Sequence, residues 1–392
     1  MAAKTRVMIL LSGLAIGDRL GGAERFAIEL ARHLDSDRFE PQICALWHYG
    51  GPAETLHVNT LAAAGIPAFL AEDYAGKLNP LSFNHSVQNI LDHYRGTRVD
   101  VIHSVLPLAG LAGLLIRRPL GAKAIVRTAF SGHEWGDGPA AYLCRQIFTN
   151  WVFPLAFDAE ACVSQFMVRQ FDRRPGARIA GKRALFLPNA IDLKRFAGRT
   201  ADPGRRREFG LSPSDFVVGC VGRLSAEKGH SVLLDAAAIV TARAPDARFL
   251  IIGDGPLQDE LHKKAGRLGL GSKLLFTGPR TDVDALYGIM DLFVLPSLWE
   301  GLPTVIMESM ASGVPVVATD IPGSRDLVQP GQTGWLARPG DPASLAAAIL
   351  AAGADPSGRA TAAQRALAEV APRFSIEQVA AECAALYSRV IT

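Results

Sequence analysis

Glu300 and Glu308 stand eight positions apart in the segment DLFVLPSLWEGLPTVIMESMASGVPVVAT, residues 291–319. The apolar run ending at Pro296 reads as a buried strand, Glu300 and Gly301 as the loop after it, and Pro303 as a residue tolerated at a helix start. Glu308 then falls on the helix. One carboxylate in a loop and one on a helix can address different parts of a single elongated ligand. The backbone of Gly301, Leu302, Pro303, Thr304 and Val305 forms the positive helix end, which suits a phosphate. A structural reading stands beside this one: Glu300 caps the helix and Glu308 is an ordinary surface residue.

Two cations, Arg223 and Lys228, follow the apolar run Phe216 to Val221 in the stretch GRLSAEKG. Taken alone, they read as exposed residues after a strand. Gly21 and Gly22 lie between the first apolar run and an amphipathic pattern carried by Phe26, Ile28, Leu30, Ala31 and Leu34. There the backbone can approach a ligand closely or simply turn. The nine histidines show no metal-ligand spacing. The D-x-D triplets Asp35-Ser36-Asp37 and Asp282-Val283-Asp284 read as turns and caps. The five cysteines, Cys44, Cys144, Cys162, Cys220 and Cys383, are scattered, which argues against a disulfide framework and for a reducing compartment.

Positioning such residues takes more than one core. At 392 residues the chain exceeds the roughly 250 to 300 at which a single hydrophobic core stops growing. Hydrophobic residues make up 49% and charged ones 20%, the balance of a globular chain. A net charge of +3 excludes the global field of a dedicated nucleic-acid binder. The basic excess is local, between Arg169 and Arg207, and suits either a solvated surface or anionic headgroups and phosphates.

Short Val- and Ile-rich runs alternate with helical patterns, the signature of parallel sheets with crossover helices. Strands are expected at Arg6–Leu11, Glu40–Leu46, Pro67–Leu70, Val99–His103, Lys123–Thr128, Ala159–Val163 and Ala184–Leu187. The alternation restarts with Phe216–Val221, Arg248–Ile252, Leu274–Thr277, Leu292–Leu295, Val316–Thr319 and Gly334–Ala337. Asp192–Ser214, polar and basic, is the expected linker. The expected fold class is α/β, with two doubly wound Rossmann-like domains, residues 1–195 and 196–375, facing across a cleft. A last helix, residues 376–392, is expected to cross back to the first domain. Lys4, Arg6 and the apolar run Val7–Leu11 mimic a secretory signal but pass directly into the Gly21-Gly22 turn, which favours a buried strand. No stretch has the ~18 apolar residues of a spanning helix. Ile147 to Phe157 reads as core, with an exposed, membrane-facing surface as the alternative.

The pair Glu300 and Glu308 resembles the E-x7-E signature of the retaining glycosyltransferase family 4, and the similarity continues through Met310 to Thr319. Gly222 to Gly229 resembles that family's G-R-L-x-x-x-K-G segment, and Gly253-Asp254-Gly255-Pro256 its G-D-G-P turn. Pro188 to Asp192, Phe276-Thr277-Gly278 and Gly21-Gly22-Ala23-Glu24 extend the match in order along nearly the whole chain.

The resemblance implies a GT-B fold and a retaining transfer of sugar from a UDP- or GDP-sugar to a hydroxyl of a glycan, polysaccharide or lipid-linked acceptor. Arg223 and Lys228 would hold the donor diphosphate, Glu308 the ribose hydroxyls, and Glu300 a hydroxyl of the transferred sugar. Arg280 is a further candidate for binding substrate. Family members often place a histidine after the fifth strand; here Phe130 stands near its place, and His133, a few residues later, is the catalytic candidate that a shifted loop would deliver. His103 reads as a core or cleft-edge histidine. Protein cations replace a catalytic metal, and no cofactor is expected beyond the donor. A cytoplasmic location follows, with peripheral contact at the inner membrane face as an added expectation and nucleic acid excluded. The alternatives are a catalytically silent sugar- or nucleotide-binding module of the same fold and, more remotely, a Rossmann oxidoreductase. The latter is disfavoured because neither half has G-x-G-x-x-G after its first strand.

Overall fold

The computed structural model describes residues 3–15, 21–76, 79–131, 135, 138–197 and 203–392. The chain divides into two compact units: Met1–Ala190 with Ile376–Thr392, and Ile191–Ser375. The first division falls a little before the expected boundary at 195.

The first unit carries a seven-stranded parallel sheet: β1 (Thr5–Leu11), β2 (Phe39–His48), β3 (Ala68–Asp73), β4 (Val101–Val105), β5 (Ala124–Ala129), β6 (Ala159–Cys162) and β7 (Leu185–Phe186). The spatial order is β3-β2-β1-β4-β5-β6-β7. Strand side chains alternate between sheet faces, so Val7, Ile9 and Leu11 enter one core while Met8 and Leu10 enter another. Both faces are covered, which is why β1 reads as an unbroken apolar run. Helix Gly22–His33 covers the first face with Phe26, Ala27 and Leu30, and helix Ile376–Ile391 adds Val379, Cys383 and Tyr387 to the same core. Helix Pro107–Arg117 covers the second face through small residues. A β-carbon on Gly113 would lie 3.0 Å from Ile125 Cδ1, so the helix sits directly on the sheet.

The second unit carries six parallel strands: β8 (Phe216–Val221), β9 (Ala247–Ile252), β10 (Leu274–Gly278), β11 (Leu292–Leu295), β12 (Val316–Thr319) and β13 (Gly334–Ala337). Their order is β10-β9-β8-β11-β12-β13. Helices His230–Arg243 and Pro342–Ala354 pack their apolar faces over β8, β9 and β11. The basic segment expected as a linker is bonded into this unit: Arg206 pairs with Asp291 at 2.9 Å and Arg205 with Asp282 at 3.0 Å.

In both sheets the strand order reverses beside the first strand, between β1 and β4 and between β8 and β11. At such a point successive connections leave to opposite sides. The carboxyl ends of the two strands therefore border a crevice where ligands bind.

Candidate active site

In the second unit the loops after β8 and β11 flank this crevice. Gly222 and Arg223 leave β8, Leu224 and Ser225 are buried, and a short 3-10 turn, Ala226–Lys228, ends at Gly229 before helix His230–Arg243. Gly229 has φ of 67°, and a β-carbon there would lie 2.1 Å from Pro296 O. Only glycine permits both the left-handed turn and the close approach. Gly253 does the same against Gly222 O, again at 2.1 Å, so the β9 turn locks onto the β8 loop. Leu298 N–H donates to Glu227 O at 2.7 Å, tying the two flanking loops together.

This locked backbone brings Lys228 to Glu300. Lys228 Nζ donates to Glu300 Oε1 at 2.6 Å, and Ser297 Oγ donates to the same oxygen at 2.8 Å. Ser225 Oγ donates to Glu227 Oε1 at 2.5 Å. Burial raises the Glu227 pKa, but the Ser225 bond, its own amide, Lys228 and Arg223 together bring it below its usual value. Both cations therefore act on one carboxylate, and Arg223 is exposed while Lys228 is partly buried. Glu300 does not cap the next helix: Thr304–Ala311 starts at Pro303 without a side-chain cap. Gly301, Thr304 and Val305 are half-exposed, Leu302 and Pro303 buried; the Ile306 amide donates to Pro303 O at 3.2 Å, while those of Thr304 and Val305, at the very start of the helix, have no intrahelical acceptor.

Glu308 is not a surface residue. It is 3% exposed, and Tyr287 Oη donates to its Oε2 at 3.0 Å. Tyr287 Oη also reaches Val305 O at 3.2 Å. Arg280 stands outside this network, its guanidinium closed on Asp282 through bonds of 2.8 and 2.7 Å. Its place after β10 is as expected, but its fork is already occupied by a carboxylate.

The sequence reading passed over His230. It is 2% exposed, neither ring nitrogen has a hydrogen-bond partner among the described residues, and its Cε1 lies 3.9 Å from where a Gly222 β-carbon would stand. Burial, then Lys228, lowers its pKa to about 4, although Glu227 opposes this. Its place directly after Lys228-Gly229 was the available signal.

In the first unit, Gly21 precedes helix Gly22–His33, and no atom lies within 4 Å of the place of a β-carbon on Gly22. Glu24 is buried beneath this turn, and burial raises its carboxyl pKa against the hydrogen bonds from the Glu24 and Gly21 amides. Phe130 packs edge-on against Phe26 with ring centroids 5.3 Å apart, a half-buried core contact. His133 lies outside the described residues. His103 is fully buried between Tyr387 Oη at 2.6 Å and Thr128 Oγ1 at 2.8 Å, and burial lowers its pKa to about 3. It is a core histidine. Among the described residues no cluster of three or more His, Cys, Asp or Glu could hold a metal ion, and all five cysteines are free thiols.

Residues 20–195 match the family described as Glycosyltransferase Family 4, and residues 203–369 match Glycosyl transferases group 1. The chain is 34% identical over 244 residues to the lipopolysaccharide core biosynthesis mannosyltransferase LpsB of Rhizobium meliloti, covering 58% of this chain and 68% of that one. It is 33% identical over 263 residues to the GDP-mannose-dependent alpha-(1-6)-phosphatidylinositol monomannoside mannosyltransferase of Mycolicibacterium smegmatis, covering 64% and 65%. HepE of Anabaena in complex with UDP-glucose shares the fold, with a TM-score of 0.78 at 24% identity over 98% of this chain and 99% of that one. The two Rossmann-like units are those of a GT-B glycosyltransferase. Within that class, the chain belongs to glycosyltransferase family 4.

Proposed function

We propose that the protein transfers a sugar, with retention of configuration, from a UDP- or GDP-sugar to a hydroxyl of a lipid-linked or polysaccharide acceptor. The observation that carries this reading is the Lys228–Glu300 pair at 2.6 Å, which joins the loops on either side of the β8/β11 crevice. Lys228 and the exposed Arg223 supply positive charge for a diphosphate, assisted by the open first turn at Thr304 and Val305. Because these charges are fixed before reaction, they stabilise the departing nucleoside diphosphate without reorganisation. In this reading Glu300 offers its carboxylate to a hydroxyl of the sugar, and Glu308, which accepts from Tyr287, takes the ribose hydroxyls.

Glu300 Oε1 already accepts bonds from Lys228 and Ser297, which suits orientation better than nucleophilic attack. In the proposed step the bond between the anomeric carbon and the phosphate oxygen breaks. The acceptor oxygen bonds to the same face, and its proton passes to the departing phosphate. The similarity to a lipopolysaccharide core mannosyltransferase and to a phosphatidylinositol monomannoside mannosyltransferase supports a lipid-linked or lipopolysaccharide acceptor. Protein cations take the place of a metal. Incubation with UDP- and GDP-sugars in a chelator, with NMR of the product's anomeric proton, tests the reading. Retained configuration in the chelator is the expected result. Inversion, or activity that manganese alone restores, contradicts it.

A further inference from the structure

The run from Pro139 to Ala156 is helical throughout, with a π-helical segment at Arg145–Val152 between two α-helical ends. Its inner side is apolar: Phe153 is fully buried, and Phe148 stacks on Trp135 with centroids 5.6 Å apart. Its outer side is apolar too. Leu143, Ile147, Trp151 and Leu155 are 58, 44, 45 and 50% exposed, and Tyr142 beside them 57%. The expectation that Ile147 to Phe157 forms core therefore holds for only part of the run.

An α-helix turns in about 3.6 residues, so every fourth residue drifts around it. The wider π turn offsets the drift and keeps this stripe on one side. A helix with apolar residues on two sides calls for cover on both, yet no described residue covers this outer face.

Its surroundings indicate the cover. Helix Pro175–Ala180 sits on the π segment so closely that a β-carbon on Gly176 would lie 2.6 Å from Asn150 O and 3.0 Å from Trp151 O. This sets the exposed Ile179 and Arg178 alongside. Lys182 Nζ donates to Phe157 O at 2.6 Å, at the end of the run. Arg173 and Arg183 are exposed and enter no ion pair among the described residues. Among the described residues the acids of the region are occupied: Asp158 pairs with Arg117 at 2.8 Å, Glu160 is buried between Arg127 and Arg174, and Asp172 accepts the Ala184 amide at 2.8 Å.

We infer that this face docks on an anionic lipid bilayer, with Leu143, Ile147, Trp151 and Leu155 entering the headgroup region and the flanking cations meeting the lipid charge. Trp and Tyr in an apolar stripe, with cations beside it and the described acids bonded within the protein, match a membrane interface chemically. The inference deepens the lipid-linked acceptor reading and rests on it only for its purpose.

The test is flotation of the full chain with phosphatidylcholine vesicles, with and without phosphatidylglycerol, at low and high salt and with no donor or acceptor present. Binding is expected only to the anionic vesicles and is expected to fall at high salt. Ile147→Ser with Trp151→Ser should lower partition by about tenfold or more. Arg178→Glu with Arg183→Glu should lower it by at least about fivefold per cation and flatten the salt dependence. Thermal melts and nucleotide binding of each variant should match the parent, which separates loss of docking from loss of fold. No binding at low salt, binding indifferent to both variants, or a dimer dissociated by Trp151→Ser would overturn the inference. Vesicle binding by a chain that transfers no sugar in the separate assay with UDP- and GDP-sugars would instead count against the lipid-linked acceptor and leave the docking face standing.

Discussion

Lys228 and Glu300 are 72 positions apart in sequence and 2.6 Å apart in the structure. Spacing alone left Glu300 open to capping and Glu308 to ordinary exposure, because local sequence does not show which loops a sheet brings together. Because β8 and β11 are neighbours, Glu300 meets Lys228, while Glu308 is buried beside Tyr287. Arg223 gives the cleaner test of the two cations, because Lys228→Ala would also strip Glu300 of its partner. Arg223→Ala should reduce turnover by roughly 10- to 100-fold, the equivalent of one charge-assisted contact. Its melting temperature should stay unchanged, as steady-state kinetics beside a thermal melt would show. The buried histidines make a second residue-scale prediction. Folded values of about 3 for His103 and about 4 for His230 lie below the ordinary 6.5, so the unfolded chain takes up protons first as pH falls. Stability is therefore full above about pH 6.5 and declines below it, by up to about 1.4 kcal/mol per pH unit for each histidine. Denaturant midpoints measured from pH 7 to 4 should show this decline, and His103→Gln should make it shallower.

Among elements, the strands were legible because a sheet covered on both faces demands unbroken Val- and Ile-rich runs, and each expected run coincides with a strand to within a few residues. The helical run at Pro139–Ala156 was not. Its apolar residues fall both inside and outside, and a π turn shifts the repeat that would have separated the two faces. Arg280 shows a similar limit: its position after β10 was readable, its closure on Asp282 was not. The Lys228-Gly229-His230 turn is the element on which the site most depends. Gly229→Ala would add strain at a φ of 67° and push against Pro296 O. The expected cost is about 2 kcal/mol or more, with the β8 and β11 loops displaced and donor binding lost. Calorimetric titration with UDP, alongside a thermal melt, would check both effects.

For the molecule as a whole, each unit has its own sheet and core, and the chain visits the first unit twice. Helix Ile376–Ile391 contributes Val379, Cys383 and Tyr387 to the first core, and Tyr387 hydrogen-bonds His103. Ending the chain at Ser375 should cost more than about 5 kcal/mol, because several large buried side chains are lost at roughly 1.5 to 3 kcal/mol each. The first unit should then be digested readily in limited proteolysis while the second persists. The periodicity of this helix was visible in the sequence. Its partner was not, since nothing near it in the chain identifies the face it covers. The proposed transfer depends on Arg223 and Lys228 holding a nucleoside diphosphate in the second unit. Titration calorimetry of UDP and GDP into the parent chain and the Arg223→Ala variant tests it most directly. The prediction is that at least one of the two nucleotides binds the parent and binds the variant about tenfold or more weakly, without added metal. Failure of both to bind the parent, or equal affinity in parent and variant, would contradict it.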